Sequence, residues 1–513
     1  MNQNSETESL TGGAPPPMPP PQPSAPTAQP ASSSMPSDYQ PQPASVTSGY
    51  GTIETPYVAP TYTWYEDYQR NTPQSRSLAA ASMIFLSGGM SLAMSVGVGP
   101  ITEYGTHAQY CWFIAVIIGA LISASLVHKL TKRTFYFIAS ILVIVKGTIY
   151  IVFATENPLS WILLARYCDG IAFGLTIIPA IIAGSEQSVK KFRGRVLGVE
   201  QSSLSVGAML LAIFSVSWET IAEVYRVIGI ASLIYGLVAL IYTFATTVES
   251  PIFYLRRNNE TEALNALRQL QKPKTITNET YALLNENKML LEEDLNRGIT
   301  NNVCTSFIPM LKVTILRVLV SLSFSLPLTW GFLITSTLNN LGSEPNPFPY
   351  VFMRLLGVTI SLLTIDSVGR RATGGVALLT GSILLLGIGT LFGDNTDPSV
   401  SSLHAAIAFL IFHQILAGVV APASTTYLGE AFSPSVKPYF ILISIVVENI
   451  IQIAVCSHAT FDSTSNFAMI LAALQFIYAM IYFFTVPETK QTTLREALDK
   501  FRGIGSYIRL EGV

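Results

Sequence analysis

Twelve long apolar segments, separated by short polar turns and one long polar loop, dominate the sequence. The first six lie at 78–100, 111–127, 134–154, 159–184, 196–216 and 226–246. The second six lie at 318–338, 347–365, 374–392, 403–428, 438–459 and 465–486. Runs of about 20 apolar residues are long enough to cross a bilayer as helices. The pattern therefore predicts an all-α membrane protein with twelve transmembrane helices in two six-helix bundles.

The polar segments predict the rest of the domain organisation. Residues 1–77 hold 15 of the 30 prolines and too few apolar residues to form a core, so this tail is expected to be disordered. The remaining divisions are the first bundle at 78–246, a cytoplasmic loop at 247–317, the second bundle at 318–486 and a cytoplasmic tail at 487–513.

Two stretches of the central loop carry a helical pattern. Residues 261–271 and 281–295 place leucines on one face, which predicts short amphipathic helices. In the front tail, aromatic residues cluster between Gly49 and Tyr68. This cluster is interpreted either as contact with the lipid headgroups or as a docking motif for protein partners.

Composition excludes several functional classes. Half of the residues are hydrophobic and 12% are charged, against about a quarter in soluble proteins. A net charge of −2 without a basic, aromatic-rich patch gives no reason to expect a nucleic-acid partner. The four cysteines are scattered, and no nucleotide-binding, metal-binding or nucleophile motif is visible. Neither a cofactor nor an enzymatic activity is expected.

The distribution of basic residues predicts the orientation. Of the 30 Lys and Arg residues, 26 fall in the tails and in one set of connections, whereas the opposite set holds only Arg226. Cytoplasmic loops are enriched in Lys and Arg. Both termini and the long loop are therefore expected on the cytoplasmic side.

The most specific motif runs from the fourth apolar segment into the fifth. It reads R-x3-G-x3-G-x11-E-x6-R-G-x6-Q and consists of Arg166, Gly170, Gly174, Glu186, Arg193, Gly194 and Gln201. Three shorter motifs accompany it: Asp366-x2-Gly369-Arg370-Arg371, Glu249-Ser250-Pro251 and Pro487-Glu488-Thr489-Lys490. Together they resemble the sugar porter family of the major facilitator superfamily over roughly residues 78 to 495.

This resemblance implies a plasma-membrane carrier similar to facilitative hexose and trehalose transporters. Such a carrier moves a small polar solute across the lipid bilayer by alternating access. A hexose or disaccharide is the expected solute. The first apolar segment lacks the acid that proton-coupled members usually have there, so uniport is expected rather than proton symport.

Charged residues at the cytoplasmic helix ends are candidates for an ionic latch between the bundles. The positive-inside rule alone would explain the basic residues, but not the acids at matched positions of the two halves. The turn at 128–133 lacks the acid and glycine usual in the family, so the first half of the latch is expected to rest on Glu186, Arg193 and Glu249. The complete candidate set is Glu186, Arg193, Glu249, Asp366, Arg370, Arg371, Glu430 and Lys437.

Polar residues inside the spans are candidates for solute binding. The resemblance places a sugar-contacting glutamine at Gln201, and the full set is Gln201, Arg354, Glu448, Asn449 and Gln452. Intramembrane charges are functional candidates by default. Glu448 and Arg354 are expected either to pair with each other or to contact a charged solute. Lys146 and Asp169 are expected to form a structural pair.

The chain departs from the sugar porter pattern at two places. The segment 322–328 contains none of the amides that the family carries in its seventh helix, and Thr425 stands where the family usually has tryptophan. Two other functions therefore stay open. One is an organic-ion carrier that uses Arg354 and Glu448, and the other is a transporter-like sensor or scaffold that no longer transports.

Overall fold

The computed structural model describes residues 63–99, 105–153, 159–339, 346–393, 400–460 and 463–503. Within these ranges the chain forms nineteen helices and no strand. The first ten are α1 (Trp64–Ser77), α2 (Ala79–Ser95), α3 (Thr106–Leu126), α4 (Lys132–Phe153), α5 (Leu159–Gln187), α6 (Arg193–Leu197), α7 (Val199–Ser217), α8 (Ile221–Ala245), α9 (Pro251–Leu255) and α10 (Glu260–Gln269). The others are α11 (Asn278–Arg297), α12 (Ile299–Leu322), α13 (Leu326–Asn339), α14 (Phe348–Thr364), α15 (Arg370–Gly393), α16 (Val400–Glu430), α17 (Lys437–His458), α18 (Thr464–Thr485) and α19 (Leu494–Arg502).

The apolar helices confirm the all-α membrane architecture. Ten spans among the described residues are long and apolar enough to cross a bilayer, with α12 and α13 counted as one. Helix α2 adds an eleventh when it is joined to α1 across a 60° bend, and α14 is a shorter apolar helix. Helices α2–α5, α7 and α8 pack as one bundle, and α12–α18 pack as the other.

The seventh span is broken in its middle. Helix α12 ends at Leu322 and α13 begins at Leu326, so residues 323–325 lie between them. Pro327 has no backbone N–H, and it therefore fits the first turn of a helix better than its interior. Helix α12 already begins at Ile299. Arg317, the last residue of the loop predicted at 247–317, therefore lies inside this helix.

The front tail is partly helical, which corrects the expectation of disorder up to residue 77. Thr63 and Glu66 form a capping box that starts α1. Arg70 on this helix forms an ion pair with Glu279 at 3.1 Å, which fixes α1 against α11. The aromatic cluster between Gly49 and Tyr68, predicted as a docking motif or a headgroup contact, lies outside the described residues up to residue 62. Its last three aromatic residues, Trp64, Tyr65 and Tyr68, are exposed on α1.

The two amphipathic stretches of the central loop form α10 and α11, as predicted. With α9 they enclose a small apolar core of Leu255, Ala263, Leu267, Leu284 and Leu291. Helix α19 joins them through Leu494 and Leu498, which pack on Ile252 and Leu290. These four helices cover one end of the two bundles. We call this end of the bundles the loop end, and we call the end on the far side of the bundles the opposite end.

Candidate functional site

A narrow cavity lies between the two bundles. The first bundle lines it with Leu92, Trp112, Phe113, Phe173, Ile177, Gln201 and Leu204. The second bundle contributes Arg317, Val320, Ser321, Phe324, Arg354, Ile445, Glu448 and Asn449. The cavity therefore combines aromatic surfaces with amides, a hydroxyl and charged groups.

Four of the five predicted binding residues line this cavity, namely Gln201, Arg354, Glu448 and Asn449. Gln452 does not line it. Its amide nitrogen donates to the carbonyl oxygen of Ser321 at 2.8 Å and to the hydroxyl of the same residue at 2.7 Å. Gln452 therefore holds α17 against α12, one turn away from the solute space.

An ionic cluster closes the cavity on the side of the loop end. Arg317 on α12 donates to both carboxylate oxygens of Glu200 on α7, at 3.0 and 2.5 Å. Its Nε donates to Glu448 on α17 at 2.7 Å. Thr425 on α16 accepts from Arg317 at 2.9 Å and donates to Glu200. We call Glu200, Arg317, Thr425 and Glu448 the central cluster. It ties the first bundle to the second.

The expected pair between Glu448 and Arg354 is wrong. Glu448 pairs with Arg317 instead. Arg354 donates to Ser323 and Gln414, both at 3.3 Å, and its guanidinium lies 4.9 Å from the centroid of the Phe324 ring. Among the described residues, no carboxylate forms an ion pair with Arg354. The physical reason is the closer arginine on α12, which satisfies the carboxylate first.

Neither Glu200 nor Arg317 is among the functional residues predicted from the sequence. Glu200 directly precedes Gln201, and Arg317 lies between Leu316 and Val318 at the border assigned to the loop. A signal for Arg317 was present, because the apolar run continues from 313 through 322 on both sides of it. A charge inside such a run must be paired or hydrated. The partner on α7 could not be inferred, because the sequence does not show which helices of the two bundles face each other.

A second buried cluster supports the cavity wall in the first bundle. Lys146 Nζ lies 3.0 Å from Asp169 Oδ1, which confirms the predicted pair. Asp169 also accepts from the indole nitrogen of Trp112 at 3.1 Å. Trp112 lines the cavity, so this hydrogen bond fixes one of its aromatic surfaces. Arg166 lies about one turn closer to the start of α5, at the opposite end, where it donates to Ser95 Oγ at 2.5 Å.

The bundles meet again at the loop end. Arg193 donates to Glu430 at 3.5 Å and to the carbonyl oxygen of Thr492 at 3.1 Å. Asp366 accepts from the backbone N–H groups of Gly194 and Arg195, both at 3.0 Å. Burial raises the pKa of the Asp366 carboxyl, while Arg370 and these N–H groups oppose the shift. These four hydrogen bonds join the two bundles, so the loop end is closed.

The remaining latch candidates divide into two groups. Arg370 bonds to Glu430 and Asp366 within the second bundle, and Lys437 crosses to Ser185 at 3.2 Å. Glu186, Glu249 and Arg371 form no ion pair across the bundles in the described part of the chain. Their partners are, respectively, the hydroxyl of Ser250, the ammonium of Lys132 and the carbonyl oxygen of Phe483.

The turn at 128–133 compensates for its missing acid in another way. Lys132 donates its backbone N–H to Glu249 at 2.7 Å and pairs with it through the ammonium. His128 accepts from Arg256 at 3.0 Å. Burial, with help from Arg256 and Lys132, lowers the pKa of His128 to about 4, so the imidazole is neutral near pH 7. This turn is therefore anchored to the segment that follows α8.

The bundles also touch at the opposite end. The thiol of Cys456 lies 3.7 Å from the carbonyl oxygen of Ser95. Gly97 has a φ of +91°, and a Cβ built there would lie 2.9 Å from Leu326 Cδ1. Glycine thus permits both the backbone conformation and the close approach. With contacts between the bundles at both ends, the cavity is occluded.

The model of the sugar (and other) transporter family matches residues 55–501. The chain belongs to this family. It is accordingly a transporter by family and not an enzyme, and it is a multi-pass membrane protein. No curated protein sequence matches the chain.

Solved structures of a proton:xylose symporter share this fold. A structure of the proton:xylose symporter XylE bound to 6-bromo-6-deoxy-D-glucose matches with a TM-score of 0.68 and 16% identity, covering 82% of this chain and 98% of that one. The partially occluded inward-open conformation of XylE from E. coli matches with a TM-score of 0.60, 16% identity, and coverage of 81% and 98%. At such low identity, these matches establish the major facilitator fold alone.

Proposed function

We propose that this member of the sugar transporter family carries a neutral sugar by facilitative uniport. The observation that carries the proposal is the composition of the occluded cavity. Gln201 and Asn449 face it with amides from opposite bundles, and Ser321 adds a hydroxyl. Trp112 and Phe324 offer aromatic surfaces. Several hydrogen-bonding groups beside an aromatic face suit the hydroxyls and the apolar ring face of a sugar.

The mechanism that we propose is alternating access. Solute bound between the bundles contacts both, so its release requires one end of the pair to open. The contacts of Arg193, Asp366 and Lys437 across the loop end form the latch in this account, and they break when that end opens. Glu186, Glu249 and Arg371 act indirectly, because they anchor segments within their own bundles.

Uniport is supported by the first span. Helix α2 contains no titratable side chain. A proton-carrying acid is therefore missing from this helix. The expected orientation places the loop end in the cytoplasm, on the strength of the basic residues in its connections. The plasma membrane is the proposed compartment.

A second candidate function rests on Arg354. This arginine is buried at the cavity wall, and its described partners are neutral. An uncompensated cation there would suit the carboxylate of a sugar acid or another organic anion. The geometry favours the neutral sugar, because Gln414, Ser323 and the Phe324 ring already satisfy much of the guanidinium.

The test is the melting temperature of the purified protein with a panel of neutral hexoses, pentoses and disaccharides and their sugar-acid counterparts. A ligand that binds the folded state raises this temperature with its concentration. We expect stabilisation by a neutral sugar, retained in Arg354→Met. Stabilisation by sugar acids only, lost in Arg354→Met, would instead establish the organic-anion carrier. If no solute stabilised the protein, the sensor alternative would be favoured.

A further inference from the structure

The central cluster occupies its own layer between the cavity and the loop end. Glu200 follows Arg193 by seven residues, and Thr425 precedes Glu430 by five. At 1.5 Å per residue, the cluster lies about 7–10 Å deeper than the latch. Arg317 and Glu448 also line the cavity. A solute leaving toward the loop end must pass this layer before it reaches the latch.

We propose that the central cluster is a second, membrane-embedded gate, in which Glu200 and Glu448 act in opposite directions on the same arginine. This inference rests on the proposed alternating-access function and adds a residue-level mechanism to it. Glu200 holds the gate closed. Glu448 makes it possible for the gate to open.

The argument starts from the distribution of the four residues between the bundles. Glu200 belongs to α7 in the first bundle, whereas Arg317, Thr425 and Glu448 belong to α12, α16 and α17 in the second. When the bundles part at the loop end, Arg317 leaves Glu200 and moves together with Glu448. The arginine therefore keeps one carboxylate in both states.

Glu200 has no comparable replacement among the described residues. The charged groups that face it are Arg317 from α12 and, behind it, Glu448 from α17. Helix α16 offers only the hydroxyl of Thr425, and α2 carries no titratable residue. On its other side lies a small apolar cavity, lined by Leu78, Ala81, Phe85, Ala180, Ile181, Val196, Leu197 and Val199. Opening thus leaves one carboxylate to be hydrated, and the closed state is favoured.

The same substitution at the two carboxylates should therefore have opposite effects. In Glu200→Gln, separation of the bundles at the loop end breaks no ion pair, so the open state is more populated. In Glu448→Gln, Arg317 depends on Glu200 alone, so opening would leave a cation without a countercharge. Separating a buried pair leaves an uncompensated charge, which is strongly unfavourable. A purely structural cluster would show no such difference in sign.

The experiment measures alkylation of a cysteine introduced at Ile177, a cavity residue of the first bundle that carries no charge. A membrane-impermeant maleimide is applied from the loop side of sealed vesicles, and the modified peptide is quantified by mass spectrometry, which separates it from the four native cysteines. We expect Glu200→Gln to raise the rate about tenfold and Glu448→Gln to lower it by a similar factor, each equal to about 1.4 kcal/mol. Glu223→Gln, an exposed carboxylate on α8, is the matched control and should leave the rate unchanged.

Two further measurements keep the result decisive. If Glu200→Gln does not fold, Thr425→Val removes a neutral contact across the same interface and should also raise the rate. The gate would be overturned if Glu200→Gln and Glu448→Gln had the same alkylation rate, or if both changed the rate in the same direction. Transport by the same vesicles separates the two proposals: unchanged alkylation with intact sugar transport contradicts the gate alone, and opposite shifts without any transport contradict the proposed function alone.

Discussion

Arg317 on α12 donates two hydrogen bonds to Glu200 on α7, at 2.5 and 3.0 Å, and so joins the two bundles on the loop-end side of the cavity. Both side chains are almost fully buried. Two-point contacts between arginine and a carboxylate are among the strongest polar interactions in proteins. The rigid-body movement that alternating access requires must break this contact in every cycle.

Removing the arginine should destabilise the fold. Arg317→Met leaves Glu200 and Glu448 buried without their cation, a loss of about 3–5 kcal/mol. We expect poor expression and a lower melting temperature in detergent. The triple variant Arg317→Met, Glu200→Gln, Glu448→Gln should recover most of the loss. Glu448→Gln alone should also lower the melting temperature, and adding Arg354→Met should not restore it, because Glu448 and Arg354 are not paired. A restored melting temperature in this double variant would contradict the described pairing.

The amide of Gln201 should contribute directly to solute affinity. Gln201→Ala removes one hydrogen-bonding group from the cavity, worth about 1 kcal/mol. We therefore expect KM for the transported sugar to rise about fivefold while the protein stays folded. Ser202→Ala is the control, since this hydroxyl bonds to the carbonyl oxygen of Val199 in its own helix. Equal KM values for both variants would exclude Gln201 from the binding site.

The loop-end latch should depend on Arg193 more than on Glu186. Arg193→Ala removes contacts to Glu430 and Thr492 across the bundles, whereas Glu186 bonds to Ser250 in its own bundle. We expect Arg193→Ala to shift the open–closed equilibrium toward the loop-end-open state by about 1 kcal/mol or more. Accessibility of the cavity from the loop side reports this shift. Glu186→Ala should give a smaller shift, and Lys190→Ala, which removes an exposed charge on the same turn, should behave as wild type. An equal effect of all three changes would reduce the latch to surface charge.

Orientation follows from labelling two exposed positions in intact cells. A cysteine at Glu219, between α7 and α8 at the opposite end, should react with an impermeant reagent. A cysteine at Asn285 on α11 should react only after permeabilisation. This expectation rests on the basic residues of the loop end, because cytoplasmic loops are enriched in Lys and Arg. The reverse pattern would place the loop end outside the cell.

The sequence was sufficient to predict the membrane architecture, because it depends on long apolar runs and helical periodicity. The pair of Lys146 and Asp169 could also be predicted, because two charges in neighbouring apolar segments must be neutralised together. Helix α1 was missed, since its apolar content is low and its capping box was not recognised within a proline-rich tail.

The central cluster could not be predicted because it depends on how the bundles face each other. Glu448 has two arginines in nearby spans of its own bundle, and spacing along the chain does not choose between them. Arg317 comes closer, since α12 extends unbroken to Leu322 and presents this residue to both α7 and α17. Arg354 instead lies against Gln414 and the Phe324 ring.

Counterflow in proteoliposomes tests the central claim most directly. Purified protein is reconstituted with a high internal concentration of an unlabelled neutral sugar, and uptake of the labelled sugar is followed at equal pH on both sides. A facilitative sugar carrier predicts a transient accumulation of label without any ion gradient. Absence of counterflow for every neutral hexose, pentose and disaccharide, in protein that folds and inserts, would contradict the account.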